Sequence, residues 1–176
     1  MKKQLKSGFT LIELLVVVAI IAILALIVLL AINPVELARR SRDSRRLSDV
    51  GTLRRAIDLT LADGGALHAT GGNYITVPQD ITDLDGSGLN ISKYLSVGPK
   101  DPSNDGTGTT TQTIVAGSPC TAGSTAKNAM NYQYKSDGNV YVLRVQLESL
   151  DNCDAVKNDG NSDNYFEVGT DPGLNL

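Results

Sequence analysis

The sequence lacks the residues and motifs around which most enzyme sites are built. Its single histidine, His68, lies in a glycine-rich stretch without a partner, which is typical of a surface residue rather than of a catalyst or metal ligand. There is no glycine-rich phosphate loop with a lysine, no His-Glu-x-x-His motif and no nucleophile with a histidine base. A catalytic site would have to be built from carboxylates alone, so we predict that the protein is not an enzyme.

Basic residues are scarce in the C-terminal part of the chain. Residues 64–176 carry six lysines and arginines against thirteen acidic residues, a net charge of −7. Residues 35–63 carry seven arginines against five acidic residues, a net charge of +2, and three lysines stand in the first seven residues. Binding to nucleic acid without sequence preference relies on neutralising phosphates, which an acidic head does not favour. We therefore predict no direct nucleic-acid partner.

An apolar run from Leu14 to Ile32, without any charge, dominates the N-terminal part. At about 1.5 Å per residue, a helix over this run covers roughly 28 Å, close to the hydrocarbon thickness of a bilayer. We predict a transmembrane helix, because a helix satisfies its own backbone in lipid. The lysines before it predict a cytoplasmic N-terminus and an exported head. Glu13 stands alone at the edge of the run, where a carboxylate is costly and indicates a functional partner.

The run belongs to a longer motif, Gly8-Phe9-Thr10-Leu11-Ile12-Glu13 followed by the apolar residues up to Ala25. In this motif the sequence resembles the type IV filament family, which comprises type IV pilins and the pseudopilins of type II secretion. The resemblance is tight over the motif and the apolar run and weak in the head. It implies that a prepilin peptidase cuts after Gly8, that the new terminus at Phe9 is N-methylated, and that Glu13 pairs with the terminal amine of a neighbouring subunit.

The resemblance implies a structural function, as a subunit of a type IV pilus or related extracytoplasmic filament. The chain would first be a single-pass precursor in the inner membrane and then part of a cell-surface filament. Its partners would be other copies in a helical homo-oligomer, the prepilin peptidase and methylase, and an assembly platform. One alternative is a type II secretion pseudopilin that forms a periplasmic piston. Another is a membrane-anchored binding domain that never polymerises. An ordinary secretory signal fits less well, because its cleavage site normally follows the apolar core.

Changes in composition predict the boundaries of four segments. These are a basic leader over 1–8, a transmembrane or filament-core helix over 9–32, an amphipathic continuation of the helix over 33–63, and an exported head over 64–176. Pro34 predicts a kink, although Asn33-Pro34 is equally typical of a helix start. An apolar stripe at helical spacing is expected to face the head: Leu47, Val50, Leu53, Ile57 and Leu61. The arginines around it indicate a solvated face, a face paired with acids of neighbouring subunits, or contact with anionic lipid.

The predicted fold class is α+β, with the long N-terminal helix packed against a small antiparallel sheet and irregular acidic loops. The clearest β signal is a hairpin with strands over 130–135 and 140–148 around an Asp-Gly turn. In its second strand, Val140 and Val142 are expected on a face that packs on the helix stripe. The remaining expectations are short strands over 74–77 and 165–168, a short helix within 79–100, and an exposed loop over 103–113.

Two further sites are expected in the exported head. Cys120 and Cys153 allow one intrachain disulfide, which an oxidising compartment permits, with a buried pair of free thiols as the alternative. Calcium is the only cofactor considered, because similar major pseudopilins often hold it in a C-terminal loop. Its candidate ligands here are Asp151, Asp154, Asp159 and Asp163. The stretch 83–88 begins like an EF-hand loop but places Tyr94 at the twelfth position, so we interpret it as a turn.

Overall fold

The computed structural model describes residues 8–77, 91–162 and 164–176. The chain divides into two compact units, Met1–Ala38 and Arg39–Leu176. Its two long helices are α1 (Leu11–Ile32) and α2 (Pro34–Ala62). The head then contains β1 (Ile75–Thr76), β2 (Thr110–Val115), β3 (Thr121–Ala126), β4 (Gln133–Ser136), β5 (Tyr141–Val145), α3 (Cys153–Lys157) and β6 (Phe166–Gly169). The predicted α+β class, with a long N-terminal helix and a small antiparallel sheet, is confirmed.

Helix α1 is apolar on every side, and none of its residues is buried. Among the described residues it is the one helix that is long and apolar enough to cross a membrane. It ends at Ile32, where Asn33 adopts a left-handed backbone with a φ of 46°. A helix that is hydrophobic all round is typical of a membrane span or of the core of a larger structure.

Helix α2 begins directly after this break. The carbonyl oxygen of Asn33 accepts hydrogen bonds from the N–H groups of Glu36 and Leu37 at 3.1 and 3.2 Å. Pro34 occupies the first helical position, where its missing N–H costs nothing. The structure therefore interrupts the helix at Asn33, and Asn33-Pro34 is a helix start. At the other end, Gly64 has a φ of 87° and supplies the left-handed residue on which helices often stop.

A four-stranded antiparallel sheet, in the order β1-β4-β5-β6, forms the larger part of the head's β structure. The predicted hairpin is confirmed as β4 and β5, with Gln133 opposite Arg144. Its turn is held by Asp137, whose Oδ1 accepts two backbone N–H groups of the turn at 2.8 and 3.0 Å. The short strands expected before and after the hairpin are present as β1 and β6, the two edges of the sheet.

A second hairpin, β2 with β3, differs from the sequence-based expectation. The exposed loop expected over 103–113 is confirmed for residues 105–109 and wrong at its two ends, because Ser103 is buried and the chain from Thr110 onward forms β2. The N–H of Ile114 donates to the carbonyl of Leu147 at 3.0 Å, so β2 is anchored by a residue that is remote in sequence. The threonines of this region favour strands, whereas its glycines and asparagine are typical of loops. The second signal led to the prediction of a loop.

The short helix expected within 79–100 is absent from the part of that range that the structure describes. The N–H groups of Tyr94 and Leu95 both donate to the carbonyl of Ile91, at 3.0 and 2.9 Å, and form a single turn. Residues 79–90 of that expectation, together with the stretch 83–88, lie outside the described residues.

The apolar stripe of α2 packs on one face of the sheet, as predicted. This core includes Val50, Leu53 and Ile57 from α2, flanked by Leu47 and Leu61, together with Tyr134, Tyr141, Leu143 and Val145 from the sheet. The expectation that Val140 and Val142 face the helix is wrong, because alternate strand residues point to opposite faces and the odd-numbered residues of β5 occupy this core. Burial of each large aliphatic side chain stabilises by about 1.5–3 kcal/mol, so the core holds α2 against the sheet.

Candidate assembly site

The first turn of α1 is organised by a hydrogen-bonded pair, Thr10 and Glu13. The N–H of Glu13 donates to Thr10 Oγ1 at 3.3 Å. In return, Glu13 Oε2 accepts from the N–H and the hydroxyl of Thr10 at 2.9 and 2.8 Å. This reciprocal capping box satisfies donors that the start of a helix otherwise leaves open. The predicted cut, between Gly8 and Phe9, lies one residue before the cap.

Glu13 keeps one side of its carboxylate open. Both hydrogen bonds from Thr10 end on Oε2, and no hydrogen bond from the described residues reaches Oε1. The side chain is exposed. A carboxylate in the first turn also lies in the favourable field of the helix N-terminus. The cap therefore fixes the direction of the carboxylate and leaves one oxygen available to a cation from another molecule.

The rest of the α1 surface is apolar and exposed. From Leu14 to Ile32 every residue is exposed in the protomer, and Phe9 before the helix is 87% exposed. Soluble monomers rarely expose an apolar patch of more than a few hundred Å². An apolar surface of this kind is typical of a helix that lies in lipid or packs against other apolar helices.

A second polar arrangement is buried and fastens α2 to the head. Arg46 is fully buried, and its guanidinium donates to Asp43 at 2.8 Å, to both oxygens of Asp101 at 2.7 and 2.8 Å, and to Glu148 at 2.7 Å. Nε of Arg42 donates to the two oxygens of Glu148 at 3.2 and 3.1 Å. We call this set the helix–head clamp; it consists of Arg42, Asp43, Arg46, Asp101, Ser103 and Glu148.

The charges of the clamp stabilise one another. Burial acts to raise the pKa of Glu148, but hydrogen bonds from Arg42 and Ser103 and the charge of Arg46 outweigh it and lower that pKa to about 2. Burial acts to lower the pKa of Arg46. The hydrogen bonds to Asp101 and Glu148 and the negative charges of these two residues outweigh burial and raise that pKa. Each group is therefore ionised and paired at neutral pH, the condition under which a charge tolerates burial.

The clamp corrects the interpretation of the basic helix face. Arg42 and Arg46 bind acids of their own head rather than solvent, lipid or a neighbouring subunit, and Arg40 pairs with Asp151. Arg45, in contrast, is on the exposed face, with 64% of its side chain accessible. The sequence does contain a signal for the burial of these two side chains. The apolar stripe of α2 continues toward the N-terminus through Arg46 and Asp43 with the same spacing of three and four residues, which predicts burial for both.

The predicted calcium ligands are not brought together as a group. Asp151 pairs with Arg40, and Asp154 is exposed. Asp163 lies outside the described residues. Within the described ranges, no three acidic, histidine or cysteine side chains are close enough to form a metal-binding group.

Asp159 does have a carboxylate neighbour, Glu167, which is not one of the four predicted calcium ligands. Asp159 Oδ2 accepts the N–H of Glu167, and Glu167 Oε2 accepts the N–H of Ser162 at 3.0 Å. The second oxygens, Asp159 Oδ1 and Glu167 Oε1, are buried and have no hydrogen-bond partner among the described residues. Burial raises the pKa of both groups, that of Asp159 to about 6. Carboxylate oxygens buried in this way need a cation or a proton.

The structure contains the predicted disulfide between Cys120 and Cys153, whose Cα atoms are 6.1 Å apart. Cys120 immediately precedes β3, and Cys153 is the first residue of α3. The bond therefore ties the second hairpin to the segment that follows β5.

A comparison with protein families gives one match, which lies at the N-terminus. The model described as the prokaryotic N-terminal methylation motif matches residues 3–29. This motif is the signature of type IV pilins and pseudopilins, and it supports a membrane-anchored precursor of that structural class. No curated protein and no solved structure matches the chain.

Proposed function

We propose that the chain is a structural subunit of a type IV pilus or related extracytoplasmic filament, cut after Gly8 and polymerised through α1. The observation that carries the proposal is an oriented, half-open carboxylate at the end of a helix that is apolar and exposed on all sides. A membrane anchor needs only the apolar length. When helices associate through apolar contacts, a single polar group specifies how far one helix is shifted along the next. We propose that Glu13 is this group.

Processing would create the partner of this carboxylate. Cleavage after Gly8 converts the amide of Phe9 into an α-amine, whose usual pKa of about 7.7–8.0 makes it largely cationic at neutral pH. Opposite charges attract more strongly in apolar surroundings than in water, and an unpaired charge there is costly. An incoming subunit is therefore stable only where its Phe9 amine reaches the open oxygen of Glu13 on a neighbour. Contacts between α1 helices supply the cohesion.

Glu13→Gln tests this proposal, because it separates the two roles of the side chain. Glutamine retains the capping box with Thr10 but removes the charge. A loss of 1.4 kcal/mol at each contact lowers an association constant about tenfold. We therefore expect at least a tenfold loss of filaments sheared from cells and identified by mass spectrometry, while processed subunits accumulate in the membrane. Glu13→Asp should restore part of the yield, because its shorter side chain retains the charge.

Thr10→Ala is the matched control, since it removes the hydroxyl bonds of the cap and retains the charge, and it should cost fewer filaments than Glu13→Gln. Intact-mass analysis should find wild-type subunits that begin at Phe9 and carry one extra methyl group. Normal filaments from Glu13→Gln would disprove the charge-pair mechanism. Polymer confined to the periplasm would identify a pseudopilin, and a processed chain that never polymerises would indicate a membrane-anchored binding domain.

We also propose that the head binds Ca²⁺ through Asp159 and Glu167. The supporting observation is the pair of buried carboxylate oxygens that have no partner in the described part of the chain, and oxygen ligands are those that Ca²⁺ prefers. A bound cation would neutralise the two carboxylates and stabilise the loop that joins them. Millimolar Ca²⁺ should raise the melting temperature of the full chain, and Glu167→Gln should abolish the increase. Asp154→Asn, at an exposed position, should leave it intact. An equal increase in wild type and Glu167→Gln would refute this site.

A further inference from the structure

One carboxylate of the clamp, Asp43, takes most of its hydrogen bonds from a single short segment of the head. Asp43 accepts the N–H groups of Glu148 and Ser149 at 2.9 and 2.8 Å. It also accepts the side-chain amide of Asn152 at 2.8 Å. These three donors come from five consecutive residues that follow β5, while Asp43 itself lies on α2. The part of the clamp that passes through Asp43 therefore requires residues 148–152 to hold one conformation, while the bonds from Arg46 to Asp101 do not involve this segment.

The second hairpin holds this segment at both ends. Before it, the side chain of Gln112 in β2 donates to the carbonyl of Glu148 at 2.9 Å. After it, the residue that follows Asn152 is Cys153, which is bonded covalently to Cys120 at the start of β3. The disulfide is thus one residue away from Asn152, which donates to the clamp residue Asp43.

We propose that the Cys120–Cys153 disulfide is an oxidation-dependent latch on the helix–head clamp. Ordering a segment costs conformational entropy, and a cross-link at its end lowers that cost by restricting the open alternatives. With the bond closed, residues 148–152 are held where their donors reach Asp43. With the bond open, the segment has more freedom, and α2 is fastened less firmly to the head.

Closing the latch is a thiol–disulfide exchange. The two thiols give up two protons and two electrons to a disulfide-bonded oxidant, which leaves as a dithiol. Oxidants of this class act outside the cytoplasm. If the head is exported, as the proposed function requires, the clamp reaches its full strength only after export. The coupling between bond and clamp belongs to the chain itself and does not depend on polymerisation.

Hydrogen exchange tests the latch on the full chain in detergent micelles. We expect reduction by a phosphine to lower the protection of the amides of Glu148 and Ser149 at least tenfold, while the amides of β4 and β5 retain theirs. Unchanged protection at Glu148 and Ser149 would overturn the proposal. An equal loss of protection in β4 and β5 would also overturn it, because the disulfide would then support the whole head rather than the clamp.

A second test uses the reciprocal coupling between the disulfide and the clamp, and it does not require the reduced protein to be examined on its own. If the bond strengthens the clamp, the clamp must favour the bond by the same factor. Asp43→Asn should therefore shift the thiol–disulfide equilibrium, titrated against a dithiol, about fivefold toward the reduced form. Tyr141→Phe is the matched control, since it removes a 2.7 Å hydrogen bond to Asp58 at a different position on α2. Equal shifts in both variants, or no shift in Asp43→Asn, would refute the latch.

Discussion

Arg46→Met should be among the most destabilising single substitutions in the head. It removes the donor that serves Asp43, Asp101 and Glu148, and leaves these buried carboxylates without their shared cation. Breaking a buried ion pair by removal of one partner costs about 3–5 kcal/mol. A typical domain is stable by only about 5–15 kcal/mol. With a urea dependence of about 1–3 kcal/mol per molar, the unfolding midpoint should fall by roughly 2 M.

Urea unfolding of the full chain in detergent, followed by near-ultraviolet circular dichroism of the buried tyrosines, measures this loss. The matched control is Arg45→Met, at the adjacent exposed position, where Nε lies 3.7 Å from an oxygen of Asp49. Surface changes of this kind stay within about ±0.5 kcal/mol. Arg46→Lys should fall in between, because lysine keeps the charge but lacks the planar fork that binds both oxygens of Asp101. If Arg46→Met loses no more stability than Arg45→Met, the clamp does not fasten the head.

Two further predictions concern the dependence of stability on pH. Because the pKa of Glu148 is about 2, below the usual value of about 4.3, its stabilisation is complete above about pH 4.5 and is lost as the pH falls toward 2. The acid-unfolding curve of Glu148→Gln should be flatter in that range, and a slope equal to that of wild type would contradict the assignment. Burial and a hydrogen bond to Asp58 raise the pKa of Tyr141, so its stabilisation is complete below about pH 10 and is lost as the pH rises further. Tyr141→Phe should therefore lose less stability than wild type between pH 9 and 11 in urea titrations, and a greater loss would refute this account.

Much of the fold could be predicted from patterns formed by residues that are close to one another in the sequence. The uncharged run before Ile32 predicts α1, and the β-rich flanks of the Asp-Gly turn predict the β4–β5 hairpin. The stripe through Val50 and Leu53 predicts the face of α2 that packs on the sheet. Each of these signals depends on periodicity or turn chemistry, which the sequence displays directly.

The clamp could not be predicted in the same way, because its partners are remote in sequence. Arg46 contacts Asp101 and Glu148, which are 55 and 102 positions away. Periodicity can indicate that Arg46 is buried, but only the folded chain shows which carboxylates surround it. Glu167 was missed for a related reason, since an acidic residue in an edge strand is ordinarily solvated, and its burial depends on how the chain around Asp159 folds.

The two charged arrangements imply opposite consequences for substitution. The acceptors of Arg46 lie within its own unit and are all satisfied there, so changes in the clamp should alter the stability of the head. Glu13 is exposed and has an oxygen that accepts no hydrogen bond from the described residues, and the proposed function assigns that oxygen to the Phe9 amine of a neighbouring subunit. Glu13→Gln should therefore lower the filament yield at least tenfold while the urea midpoint of the head stays unchanged. A Glu13→Gln variant with a destabilised head would show that the carboxylate acts within the protomer, and the role proposed for it in assembly would be wrong.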